Sequence, residues 1–365
     1  MTFKTPGPEG KEAAVGTLLL CAAAALFAPG MVLAQGQAKP KEPAKSAAKA
    51  GEEKPQVYAF GETEISAPEI QFDFGSRKHV FLDGVTLTQK QTKMTAKTMT
   101  VQVTPKNEVE WARCEGDVFI EKKGEDGVNM DARAATVFYR VMEQKAELDG
   151  GVVLHQTSPK LAKPAQVTGS RVDLDLSTKQ NIVHRSKDAQ AKVHLDPIGK
   201  EGQPAPEAID LIGDRIEMNG ATQEYVATGN PLVKRPSAVM TAKRIRFQVD
   251  DESKDVKVAY AEEDVVYDGK NDKGATIYVT GDHGVFNKEK NELVIRGNVK
   301  MRTQRPDDAG PTTLNGETFV YNTKTGQGSM KRGQASPAIF TLPDKVNPGD
   351  KKDAPDAKKA PEKKQ

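Results

Sequence analysis

Apolar residues recur along the chain from Ile65 to Met330 at a spacing of two. They are grouped in copies that read apolar, any, Ala or Gly, any, any, apolar, any, apolar. Taking the small residue as origin, the copies centre on Ala96, Ala132, Gly169, Gly213, Ala242, Gly281 and Gly316. Two residues before it stand Met94, Met130, Val167, Leu211, Met240, Val279 and Leu314. Five residues after it stand Val101, Val137, Leu174, Met218, Phe247, Phe286 and Tyr321. Alternation at two is the period of a strand, and no run after residue 34 sustains the three-and-four spacing of a helix. The residues before and after the origin have opposite parity. One inserted residue, a β-bulge, returns them to the same side and bends the strand, and a small side chain suits the bend.

A second motif follows most copies. Gly116–Ile120 (GDVFI), Gly150–Leu154 (GGVVL) and Gly297–Met301 (GNVKM) are clear cases, Gly229–Val233 and Glu263–Tyr267 looser ones, and after Gly169 the glycine is lost. Gly-Asp and Gly-Asn tolerate positive φ, so these pairs read as turns before a returning strand. Each unit is then a strand, a bend, a hairpin and a return. About seven such units predict an all-β sandwich, jelly roll or barrel.

The ends are different. Residues 1–34 read as a secretory signal: Lys4 and Lys11, an apolar run from Val15 to Phe27, a Pro29-Gly30 break, and Val32-Leu33-Ala34 placing cleavage before Gln35. The run is short of the roughly 20 residues that span a bilayer. Residues 35–56 and 343–365 are rich in Lys, Ala and Pro and read as disordered arms, each with a net charge of about +2. The chain as a whole carries +2, so the part between the arms is near −2. That balance, with 5% aromatic residues, argues against nucleic acid as a partner. The Pro/Gly-rich segment 196–207 reads as a linker between a module at 57–195 and another at 208–342.

No catalytic motif is present. The five histidines lack zinc-ligand spacing, Asp282-His283 occupies an outward-facing position of the repeat, and Trp111 and the one cysteine outside the signal, Cys114, read as core. No enzyme activity, metal or cofactor is expected. The apolar stripe remains as the candidate site, with Val101, Val118, Ile120, Ile216, Met218, Ile245, Phe247, Phe286, Val299, Met301, Phe319 and Tyr321 as the residues to face a ligand. A plain protein core accounts for the same stripe, and both readings stay open on pattern alone.

Val239–Gln248 (VMTAKRIRFQ) and Leu293–Met301 (LVIRGNVKM) resemble the OstA-type repeat of the lipopolysaccharide-transport proteins LptA and LptC and of the start of LptD. The resemblance implies an open β-jelly roll that shields the acyl chains of lipopolysaccharide or another glycolipid in an apolar groove. It also implies a periplasmic location and stacking on other transport subunits, or on itself, by strand addition at sheet edges. Glu69–Phe74 and Leu314–Tyr321 are the edges it points to, and the length points to two tandem modules. Two further readings stand beside it: a scaffolding β protein of the envelope without lipid, and an inner-membrane-anchored LptC-like subunit.

Overall fold

The computed structural model describes residues 56–60, 63–106, 108–124, 127–199, 206–251, 253–271, 274–308, 310–332 and 339–341. The segment read as a signal, 1–34, and the two read as arms lie almost wholly outside this range. Every regular element described is a β-strand, every pairing is antiparallel, and all strands belong to one hydrogen-bonded sheet. No helix among the described residues is long and apolar enough to cross a membrane.

The sheet is creased along its length into two leaves. Eight long strands cross the crease and belong to both: Val109–Lys123, Asn129–Arg140, Lys145–Thr157 and Leu161–Asp175, then Val256–Lys270, Thr276–Asn287, Glu292–Gln304 and Thr312–Asn322. Between and before these groups the two leaves use separate short strands. Leaf I takes Gln56–Phe60, Thr63–Ala67, Val85–Gln89 and Thr92–Ala96, and later Ala191–Pro197, Ile209–Gly213, Leu232–Lys234 and Ala238–Thr241. Leaf II takes Glu69–Asp73, Lys78–Leu82 and Thr98–Val103, and later Gln180–His184, Arg215–Asn219, Glu224–Thr228 and Arg244–Val249. The result is a β-jelly roll with one apolar core between the leaves.

The repeat makes the crease. Ala96, Gly169, Gly213, Ala242, Gly281 and Gly316 sit at it, with inward-facing residues at minus two and at plus three and plus five, as the parity argument requires. The second copy is displaced. Ala134, not Ala132, pairs with Val118 at the crease, and Ala135 is exposed while Val137 and Tyr139 point inward. Alternating alanines on both sides of the crease hid this register in the sequence.

The second motif is not a hairpin turn. Gly116-Asp117, Gly150-Gly151, Glu263-Asp264 and Gly297-Asn298 lie in mid-strand, where the returning strand carries one residue more than its partner. All eight residues have positive φ. The positive-φ reading of the pair was sound; its place is a bulge, which turns the strand from leaf II into leaf I. In the two copies that read Met-Thr-Ala-Lys, Met94–Lys97 and Met240–Lys243, the lysine clamps this bulge from outside. Lys97 Nζ lies 2.8 Å from Asp117, and Lys243 Nζ lies 3.1 Å from Glu263 and 3.2 Å from Asp264. These pairs are exposed and add little stability. The hairpins that follow the small-residue origins lie at the free margin of leaf II. There Asp175, Asn219 and Asn322 accept backbone N–H bonds from Ser177 and Thr178, Ala221 and Thr222, and Lys324 and Thr325. Each of these Asx residues stands six after its glycine origin, a turn signal with its own mechanism.

The strands on either side of segment 196–207 pair directly, with Leu195 opposite Ile209 and Ala191 opposite Gly213. Among the described residues Gln56–Phe60 and Glu69–Asp73 are the N-terminal edges of the two leaves. Leu314–Tyr321 is not an edge. Its leaf I half pairs with Ile339–Thr341 and its leaf II half with Gly328–Lys331, two short segments with no apolar alternation to announce them.

The outer faces are polar. On leaf I, Asp131 pairs with His155, which stands opposite Gln166; Gln166 stands opposite His194, and His194 opposite Asp210. His194 Nδ1 donates to Asp210 Oδ1 at 2.7 Å and Lys192 Nζ approaches it at 3.0 Å. Partial burial works to raise the Asp210 carboxyl, but the His194 and Lys192 bonds outweigh it and hold the group below 3.8. A carboxylate held low when folded stabilises above its unfolded value and loses that contribution as the pH falls through the folded value. Asp210→Asn is therefore expected to lower the urea midpoint at pH 7 by the equivalent of about 1 kcal/mol, with the deficit disappearing below pH 3.8. An equal deficit at pH 7 and in acid would show that charge is not the cause.

Candidate functional site

Cross-strand pairing lines the inner face of leaf II with two unbroken rows. The row beside the crease runs Ile216, Ala227, Ile245, Ala261, Gly284, Ile295, Phe319 in its second half. The next row runs Val101, Ala112, Tyr139, Ala146, Leu174, Asn181, Met218 and on through Tyr225, Phe247, Ala259, Phe286, Leu293 to Tyr321. At about 4.8 Å between strands this row is on the order of 60 Å long. Leaf I faces it with Val118 and Val299 beside the crease and Ile120 and Met301 one row out.

All twelve candidate residues therefore point to the interior, and seven of them share the second half of leaf II. Ten are buried; Phe286 and Met301 are half-buried against the core. Tyr225 stacks on Phe247 at 5.1 Å, and Phe319 on Tyr321 at 6.0 Å. Burial pushes the Tyr225 hydroxyl far up and the Tyr139 hydroxyl to about 12. Cys114 also lies on this wall, and burial pushes its thiol up to about 12, so it is a neutral, inert packing group.

The return strands supply wall residues that the repeat reading passed over. Leu293 and Ile295 stand four and two before Gly297, Tyr225 and Ala227 before Gly229, and Ala146 and Leu148 before Gly150. The same period-two count extended backwards through the bulge would have found them.

Trp111 is not in the core. It lies half-buried on the outer face, 5.7 Å from the Phe138 ring, with the Arg140 guanidinium 5.0 Å from that ring on the same face. A register shift beside Val103 reverses the parity there and turns Trp111 outward.

The free margins of the leaves meet in the middle of the molecule. Arg235 from leaf I bonds Asp255 of leaf II at 3.0 Å, and Lys288 reaches the same carboxylate at 2.6 Å. Lys160 Nζ donates to the Asp251 carbonyl at 3.2 Å, again from leaf I to leaf II. At the N-terminal end the contact is aromatic: Tyr58 of leaf I lies 5.5 Å from Phe72 of leaf II, and Phe74, 86% exposed, stacks beyond it. Among the described residues no group of three or more metal-ligating side chains occurs.

The family model described as LptA/(LptD N-terminal domain) LPS transport protein matches residues 64–180 and again 211–327. The chain belongs to this family. Each matched stretch contains four of the eight creased strands. Among solved structures the chain is similar to LptH from Pseudomonas aeruginosa, described as the LptA-homologous periplasmic component of the lipopolysaccharide transport device. The identity is 19%, the match covers 39% of this chain and 96% of that one, and the TM-score is 0.32. No curated protein matches the chain.

Proposed function

We propose that this LptA/LptD-family chain is a periplasmic carrier or bridge, with no catalytic role, that shields the acyl chains of lipopolysaccharide or a related glycolipid between its leaves. The observation that carries the reading is the continuous inward row from Val101 to Tyr321, apolar at every position but Asn181 and longer than a single compact core needs. In this reading the two matched stretches are two family modules fused in one polypeptide, with the ladder through Leu195 and Ile209 in place of a contact between separate subunits. The strands Gln56–Phe60 and Glu69–Asp73, each paired on one side only among the described residues, would add strands of a neighbouring transport subunit or of a second copy.

The leaves are packed on each other, so a lipid can reach the wall only where they part. The half-buried Phe286 lies under the Arg235 guanidinium at 5.8 Å, beside the Arg235–Asp255 pair that joins the margins, so a lipid entering there would have to part that pair. The same packing favours the second reading, a scaffold whose interior is simply a core. Photo-crosslinking residues at Phe247 and Phe286, expressed in cells, are expected to capture lipid, while one at the exposed crease residue Lys243 is expected to capture none. Capture confined to Lys243, or none anywhere, would leave the scaffold.

A further inference from the structure

One inward side chain on the wall does not suit a core. Asn181 is 1% exposed and lies on the inner face of Gln180–His184, opposite Leu174 on one side and Met218 on the other. Val183, two residues on and fully buried, fixes the direction of that face. Neither Oδ1 nor Nδ2 of Asn181 has a hydrogen-bond partner among the described residues. At the same height on neighbouring strands stand Leu174, Met218, Tyr225 and Phe247, so an apolar side chain would satisfy the packing. A buried carboxamide left without bonds is a net cost to the fold. Thr63 Oγ1, Gln89 Oε1 and His79 Nδ1, also inward and without partners, belong to the first strands, beside the exposed aromatic end, and buried Gln223 at the leaf II margin donates to the Gly220 carbonyl. Asn181 lies midway along the wall, flanked by apolar neighbours on both sides.

We propose that Asn181 is a hydrogen-bonding station for the amide group at the root of an acyl chain lying against leaf II. The ligand class is an amphiphile with amide-linked acyl chains, such as an N-acylated sugar; this rests on the carrier reading and names the chemistry within it. The argument is one of complementarity. A carboxamide offers both an acceptor and donors on one plane, and a secondary amide offers the matching N–H and C=O. Hydrocarbon satisfies neither atom, an ester or ether linkage offers acceptors alone, and a carboxylate would bring an unpaired charge into the interior.

The test uses the full mature chain, wild type and Asn181→Leu, with two probes that share a hexopyranose ring and a twelve-carbon chain: N-dodecanoylglucosamine and dodecyl glucoside, each below its micelle concentration. Wild type is expected to bind the amide-linked probe about tenfold more tightly than the glucoside, the worth of one good hydrogen bond made in the interior. Asn181→Leu is expected to bind both probes equally, at the glucoside affinity, and its unliganded Tm is expected to rise by about 2–4 °C because the unpaired amide is gone. Equal binding of the two probes by wild type, or an undiminished preference in Asn181→Leu, overturns the role of Asn181 and leaves the carrier reading standing. Failure of wild type to bind either probe overturns both.

Discussion

Phe247→Ala is expected to lower folding stability by about 3–5 kcal/mol, the range for removing a fully buried aromatic ring from a core that cannot close over the gap. Phe247 is 1% exposed, stacked on Tyr225, and held between Tyr225 and Ala259 on the adjoining strands. Hydrogen-bonded strands on both sides prevent the wall from collapsing into the space. In urea titrations the midpoint should drop accordingly. Because each strand of the sheet contacts mainly its neighbours, amide exchange should accelerate most in Glu224–Thr228, Arg244–Val249 and Val256–Lys270. Phe72→Ala, at a site 40% exposed on the N-terminal edge, should cost less than about 1 kcal/mol. Equal losses at the two positions would mean that the wall is not the packed interior described above.

The second large effect concerns the crease. Gly150 and Gly151 both have positive φ, 85° and 76°, but they differ in what surrounds them. A Cβ on Gly150 would lie 2.4 Å from the Ala135 Cβ on the adjoining strand, whereas a Cβ on Gly151 meets nothing within 4 Å. Gly151→Ala therefore carries only the left-handed backbone strain, about 1 kcal/mol. Gly150→Ala adds a collision between two strands whose spacing is fixed by hydrogen bonds on both sides, and should cost about 3 kcal/mol in total. Thermal unfolding of the two variants side by side measures the difference. Similar losses would show that the bulge can shift to make room, and that the crease is softer than its register implies.

Much of this fold was legible in the residues, and for a local reason. Inward and outward positions of a strand alternate every two residues whatever the strand pairs with, so Met94, Val167, Phe247 and Tyr321 declared their face without reference to any partner. The change of parity at each small residue likewise belonged to one strand at a time. The paired positive-φ residues declared their backbone conformation, but a left-handed pair serves a hairpin and a bulge equally. Only the strand opposite, one residue shorter across the crease, distinguishes the two. The Ala132 copy went astray because alanine alternates through that region and carries no size contrast to mark the bend.

The candidate wall divides in the same way. Its apolar members were found in the outgoing strands and missed in the returning ones, where the count had to pass backwards through a bulge. Asn181 carried no signal, since a polar residue in an alternating strand reads as outward until its neighbours Leu174 and Met218 are seen beside it.

Taken by itself, the order of residues determined that the chain is a β protein of repeated, bent strands with one apolar face, because alternation and small-residue bends act within a few residues of each other. Tertiary structure decided the rest: the pairing of Leu195 with Ile209, the covering of Leu314–Tyr321, the outward turn of Trp111, and the meeting of Arg235 with Asp255 across the margins. Each of these is a contact between segments far apart in the chain, set by register and by which strand lies next to which, and no local pattern encodes it.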